Sequence, residues 1–457
     1  MYVKLIEPKM RMRPMDTGLK TRMAPPLGLL TIAGLLRKKH RVKIENENVE
    51  SVVFDDEPDI VGISVTVDAL PRAMELAARF RARGIPVAAG GIHITTAEST
   101  IPKGAFDILM IGAAEGTWPD LMRDLECGAP KPLYRCHGDA TLASPAYDMI
   151  DHDKYLYCNV VSASRGCPYR CDFCYNSAAA HGFRTRPIDD VLRDVLALRR
   201  RHVMFIDDNL IGDPAYALAL ARALRPLHLK WNAAVSADIL NMPELLDEMC
   251  ESGLQSLFIG FESVNPSSLR GVNKIKNDPG KYDLLVEALH KRGVMINASF
   301  VFGLDGDTPD TFRETLRFIV KNKIETVTSH ILTPYPGTAF YHRMESENRI
   351  TSRDLSLYNT ANVVFKPKNM TEKQLYDGYL WIYRHTYSFC NILRRLPRTR
   401  RQIAPYLAFN LLYRKFGRFS DWLCRLFSYG LIGRLGEKLA RYPHEDTGND
   451  HPSDCLQ

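Results

Sequence analysis

The chain has 457 residues, more than one hydrophobic core usually serves, so two or three domains are expected. Hydrophobic residues make up 45% and charged residues 25%, a globular balance that excludes wholesale disorder, collagen-like repeats and coiled coil. The net charge of +7 is not spread evenly: 13 Lys/Arg stand against two acids between Arg384 and Arg441, which leaves the rest of the chain at about −4.

The opening MYVKLIEPKMRMRP is charged and has no apolar run of the kind a signal peptide carries. Residues 24–36 are apolar but hold two prolines and two glycines, too short a run to span a bilayer. A cytoplasmic protein is expected. In that compartment ten cysteines argue for metal or redox chemistry if they cluster. Cys167, Cys171 and Cys174 do; the other seven are scattered and read as plain thiols.

Residues 1–129 alternate strand and helix signals. Strands are expected at Tyr2–Ile6, Val42–Ile44, Asp59–Val65, Ile85–Ala89 and Ile108–Ile111. Helices are expected at Leu27–Arg37, through Leu70, Ala73, Ala77 and Phe80, and from Thr117, read as an N-cap. Such alternation means an open parallel sheet covered on both faces, with ligands at the carboxyl ends of its strands. Past those ends stand Ser64, Thr66, Gly90, Gly91, His93, Gly112 and Glu115.

Residues 130–157 are rich in Pro, Gly and Asp and read as a linker. A second series follows over 158–344, with strands at 160–164, 203–206, 229–235, 256–261, 295–302 and 326–332. Helices are expected between them at 188–200, 215–225, 243–252, 280–292 and 309–322. Six βα units suggest a partial barrel with its chemistry at the carboxyl ends. Those ends carry the cysteines, Asp207-Asp208, Ser236, Glu262-Ser263, Gly303 and Pro334-Tyr335. Residues 345–457 read as a helical, basic and aromatic segment.

The cysteine loop reads Ser164-Arg-Gly-Cys167-Pro-Tyr-Arg-Cys171-Asp-Phe-Cys174. Three thiolates can hold three corners of a [4Fe–4S] cube and leave one iron free for a ligand. The alternative is a structural zinc site completed by His181. The position at the first strand end of a barrel favours the cluster.

Cys-x3-Cys-x2-Cys with Phe173 before the last cysteine resembles the radical SAM superfamily. The resemblance implies that the free iron binds S-adenosylmethionine (SAM), with Phe173 near the adenine. It also implies contacts to SAM from Asp207, Asp208, Glu262, Ser263 and Gly303. On the residues alone, the alternative for Asp207-Asp208 is a solvated loop pair or a helix cap. The N-terminal segments Pro25-Pro26-Leu-Gly28, Asp59-Ile-Val-Gly-Ile-Ser64, Gly90-Gly91-Ile-His93 and Ile111-Gly112-x-x-Glu115 resemble the cobalamin-binding subset of that superfamily, which includes class B methylases and the anaerobic ring cyclase of chlorophyll synthesis. Ala113 departs from the subset, which often has an acid there. No Asp-x-His-x-x-Gly occurs, so no histidine is expected as lower axial ligand of cobalt. His93 reads as a loop residue in preference to a cobalt ligand.

The implied architecture is α/β: an N-terminal open parallel Rossmann-like cobalamin-binding sheet, a (β/α)6 partial TIM barrel and a helical C-terminal segment. The implied activity is radical modification of an unactivated carbon, foremost methyl transfer from SAM by way of cobalamin. The implied cofactors are a [4Fe–4S] cluster, SAM and cobalamin. The alternatives are oxidative cyclisation without methyl transfer, and a sensor without turnover. Tyr335 is the candidate catalytic residue. Expected partners are a small-molecule substrate (lipid, isoprenoid or tetrapyrrole) and a low-potential electron donor such as flavodoxin or ferredoxin. Residues 393–441 place cations beside apolar faces, which reads as contact with the inner membrane surface or as a helical cap on the barrel. No nucleic-acid partner is expected.

Overall fold

The computed structural model describes residues 1–14, 16, 20–136, 140–179, 182–413, 422, 426 and 428–439. Its first half is a six-stranded sheet, wholly parallel, in the order β2-β1-β3-β4-β5-β6. The strands are β1 (Tyr2–Glu7), β2 (Arg41–Asn46), β3 (Ile60–Ser64), β4 (Val87–Gly90), β5 (Ile108–Gly112) and β6 (Leu133–Cys136). Alternation along the strands sends side chains into two cores. Val3, Leu5 and Ile60 pack with α1 (Leu27–Leu36) and α4 (Ala114–Glu126), while Ile6, Val61 and Ile63 pack with α2 (Leu70–Arg81). A short α3 (Ile92–Thr96) follows β4.

Two expectations shift here. The expected linker contributes β6, which pairs in register with β5, so the sheet runs past residue 129. Its four residues carry too little periodicity to be read as a strand. Thr117 is not the N-cap: α4 begins three residues earlier, and the Thr117 hydroxyl donates to the Ala113 carbonyl at 3.2 Å.

The second half is six parallel strands in chain order: β7 (Val160–Val161), β10 (His202–Phe205), β11 (Lys230–Val235), β12 (Leu254–Glu262), β13 (Met295–Phe302) and β14 (Thr326–Ile331). Their covering helices are α6 (Ile188–Ala197), α7 (Pro214–Leu224), α8 (Pro243–Glu251), α10 (Tyr282–Lys291) and α11 (Thr311–Lys321). Shorter helices follow three of the strand ends: α5 (Tyr175–Ala178), α9 (Pro266–Arg270) and α12 (Ala339–Ser346). Sequential parallel order with crossover helices is the partial barrel expected. The first strand is shorter than read. After β7 the chain turns, and β8 (Ser164–Arg165) pairs antiparallel with β9 (Arg184–Thr185). The buried carboxylate of Asp207 makes that turn: it accepts from the Ala163 amide at 3.0 Å and the Ser164 hydroxyl at 2.6 Å, and from the Ser164 amide.

The C-terminal segment is helical. It contains α13 (Glu372–Thr386), α14 (Phe389–Arg394), α15 (Arg400–Tyr413) and a last helix, Tyr429–Leu439. Arg395 is fully buried and donates to the carbonyls of Ile324, Glu325 and Thr386 and to Asn410 Oδ1. That arginine ties α13 and α15 to the start of β14. The middle of the tail is therefore a packed cap.

Candidate functional site

The three cysteines lie on the loop between β8 and α5. The loop is tied at several points. Gly166, at φ +83, donates its amide to Asp208 Oδ2 at 3.2 Å, and a Cβ there would meet the Gly182 carbonyl at 2.3 Å. The Asp172 amide donates to the Val272 carbonyl, Asn273 to the Arg170 carbonyl and the Phe340 amide to the Asp172 carbonyl. Burial pushes all three thiols up, Cys171 to about 11, and each feels the lysine Lys274 pulling the other way. Bare, these are poor thiolates. Held by iron they would be deprotonated, and Lys274 would offset part of the negative charge. Three thiols on one tied loop beside a cation are the donor chemistry of an iron–sulfur cluster, although among the described residues no three His, Cys, Asp or Glu side chains are placed to hold a single metal ion. His181, the zinc alternative's fourth ligand, lies outside the described residues.

Lys274 carries no signal in the sequence. Its ammonium pairs with Glu262 at 2.9 Å, both side chains largely buried. Burial alone would lower it, but the Glu262 carboxylate raises it, and Cys171 and Cys174 would add to that once deprotonated. Glu262 sits at φ +63, an uncommon backbone region for a side chain of its size. Ser263 is buried, its hydroxyl accepting from the Asn265 amide at 3.1 Å. Gly303, at φ +99, donates to buried Asp307 at 3.0 Å; a Cβ would meet Leu375 of α13 at 2.8 Å. Phe173 is partly buried against the barrel core.

Asp207 and Asp208 separate. Asp207 is buried and committed to the β7–β8 turn, and burial pushes it up to about 6. Asp208 is exposed and accepts from the Gly166 amide. Successive residues after a strand face opposite sides, so of the two Asp208 is the one left open for a ligand cation.

At the carboxyl ends of β3, β4 and β5 lies a cleft holding, with its open mouth, about 1170 Å³ of empty space. Ser64, Gly90, Gly91 and Gly112 line it, with Gly28 from α1. Gly91 and Gly112 have φ +106 and +97, and a Cβ would meet Val65 backbone at 2.8 Å or the Cys136 carbonyl at 2.1 Å. Backbone thus forms much of the wall, which suits a flat ligand with a long tail. The second half of the chain also lines it, through Arg165, Gly166, Asn176 and Ala179.

Three expected residues do not line this cleft. Thr66 bonds Asp68 at 2.9 Å. His93 is fully buried with Nε2 on the Thr100 hydroxyl at 3.1 Å, and burial lowers it to about 4. Glu115 instead holds Arg165 through two contacts of 2.8 Å. Nothing in the sequence signals that partnership, because its members are fifty residues apart. Tyr335 stacks on Tyr175, the neighbour of Cys174, with ring centroids 4.1 Å apart.

The inner face of the second sheet is open. Ile206, just past β10, and Phe258, in β12, are 44% and 37% exposed, although Phe205, Leu257 and Ile259 beside them in sequence are buried. The alternation puts Ile206 and Phe258 on the concave side.

Residues 161–319 match the family model described as the radical SAM superfamily, and residues 22–122 match the B12 binding domain. Residues 338–414 match a domain of unknown function. The chain is 29% identical to a bacteriochlorophyllide d C-12(1)-methyltransferase of Chlorobaculum tepidum, over 86% of this chain and 88% of that one. It is 28% identical to a hopanoid C-2 methylase of Rhodopseudomonas palustris, over 72% and 66%. Among solved structures, the cobalamin-dependent S-adenosylmethionine radical enzyme OxsB superposes with a TM-score of 0.65 at 14% identity, over 90% of this chain and 71% of that one. At that identity the likeness is one of fold.

Proposed function

Because this chain belongs to the cobalamin-binding radical SAM enzymes, we propose that it transfers a methyl group from SAM to an unactivated carbon of an apolar, ring-based small molecule. The observation that carries the reading is the shared cleft: strand-end glycines of the first sheet and the cluster loop both line it. When bound, the cluster with SAM would supply a hydrogen-abstracting radical and cobalamin would supply the methyl carrier.

The chain's own residues supply placement. Cys167, Cys171 and Cys174 would hold the cluster. Lys274 and Glu262 present a paired cation and anion beside it, and Asp208 offers an open carboxylate to an ammonium. Ser64, Gly90, Gly91 and Gly112 would bed the corrin. Ile206 and Phe258 give the barrel's inner face an apolar patch beside the hydrogen-bonded pairs Ser256–Asn232 and Thr328–Asn297, which suits a substrate with a broad apolar body and a few polar groups. Two relatives point the same way, their names giving a tetrapyrrole and a hopanoid as what they methylate.

A low-potential donor such as flavodoxin or ferredoxin would reduce the cluster. No helix among the described residues is long and apolar enough to cross a membrane. Phe389, Leu393, Trp422, Leu426, Leu431 and Leu435 are exposed within the basic tail, which supports contact with an anionic membrane surface. Much of 414–441 lies outside the described residues.

The test is label transfer. Loaded protein, a strong reductant and SAM deuterated in its methyl group are incubated with a bacteriochlorophyllide or a hopanoid. A product heavier by one labelled methyl supports the reading. Conversion of either compound with no label incorporated would overturn methyl transfer.

A further inference from the structure

Arg165 and Glu115 belong to different halves of the molecule. Glu115 stands in the first turn of α4, three residues after the end of β5. Arg165 ends β8, two residues before Cys167. Nη1 and Nη2 of Arg165 meet Oε2 and Oε1 of Glu115, both at 2.8 Å. Such a two-point pair fixes angle as well as distance. The Glu115 side chain is 2% exposed, and Oε1 also accepts from the Ala143 amide at 3.4 Å. Burial would push this carboxyl up, but Arg165 outweighs burial and holds it below the usual range.

The pair stands at the junction of both sites. Arg165 and Gly166 line the same cleft as Gly112, Ala113 and Ala114. The Gly166 amide is in turn bound to Asp208 at 3.2 Å. A body filling the cleft therefore presses on a backbone segment that runs straight into Cys167, and a change at the cluster loop displaces the wall of the cleft.

We propose that the Arg165–Glu115 pair is a positioning device that couples occupancy of the cobalamin cleft to SAM binding at the cluster loop. The proposal rests on the reading of that cleft as the cobalamin site, and it does not depend on methyl transfer. Neither residue needs to touch a reacting atom. The fork holds the two halves at one separation, and the coupling is reciprocal: cobalamin tightens SAM, and SAM tightens cobalamin by the same factor.

The test uses cluster-reconstituted protein under anaerobic conditions. SAM affinity is measured by equilibrium dialysis with and without cobalamin, for the wild type, E115Q and R165K. Cobalamin uptake is followed by its absorption. The wild type is expected to bind SAM at least about five-fold more tightly with cobalamin present. In E115Q, which keeps size but loses charge, the factor falls toward one, while SAM affinity without cobalamin stays as in the wild type. R165K keeps charge but lacks the fork, and it loses most of the coupling too. A wild-type factor of one overturns the proposal whatever the variants do. So does a factor in E115Q equal to that of the wild type. Failure of the wild type to bind cobalamin at all overturns the cleft assignment, and the proposal with it.

Discussion

Lys274 shows how much a single buried cation sets at this site. It pairs with Glu262 and feels the thiols of Cys171 and Cys174. Removing one member of a buried pair leaves the other charge stranded, which costs on the order of 3 kcal/mol. K274M should therefore melt several degrees lower than the wild type by circular dichroism; unchanged stability would mean that Glu262 finds water instead. The cysteines carry the chemistry more directly. Alanine at Cys167, Cys171 or Cys174 should end formation of 5′-deoxyadenosine, and retained formation would contradict the assignment. His93 makes a prediction of a different kind. Its ring is fully buried and titrates at about 4 when folded, against 6.5 in an ordinary setting. Between pH 6.5 and 4 the unfolded chain takes up a proton that the folded chain refuses, so stability falls as pH drops through that window and levels below it. H93Q should flatten this part of the curve of melting temperature against pH. A slope as steep as the wild type's would show that another group dominates.

Most elements are legible in the sequence because their periods are strong. The helices of the barrel announce themselves by a repeating apolar face, and β3 by the run Ile60-Val-Gly-Ile63. What stays hidden is short or long-range. β6 is a four-residue edge strand, and its partner, not its own pattern, makes it a strand. The β7–β8 turn depends on Asp207, forty-odd residues downstream. Separation along the chain also hides the Arg165–Glu115 pair, and it hides Lys274 from the cysteines that it faces. The cysteines are legible since a liganding loop is local in sequence. Cap chemistry is local too, and Thr371 closes a reciprocal capping box with Gln374 at the start of α13. T371A should lower stability by about 1 kcal/mol in chemical denaturation. A loss near zero would mean that α13 is held by its packing on α11 and β14 alone.

The whole molecule brings two cofactor-binding folds together at one cleft, with helices closing the barrel's side. Its α/β order and its two halves are readable from strand–helix alternation, while the way they meet is not, since contacts between halves leave no period in the sequence. In the proposed reaction the two halves work as one methylase. That claim is tested most directly on anaerobic protein carrying its cluster, with SAM, a strong reductant and an accepted substrate, by quantifying 5′-deoxyadenosine and S-adenosylhomocysteine by mass spectrometry with and without cobalamin. Both products are predicted with cobalamin present, and S-adenosylhomocysteine should be lost without it. 5′-Deoxyadenosine with product formed but no S-adenosylhomocysteine would contradict the claim.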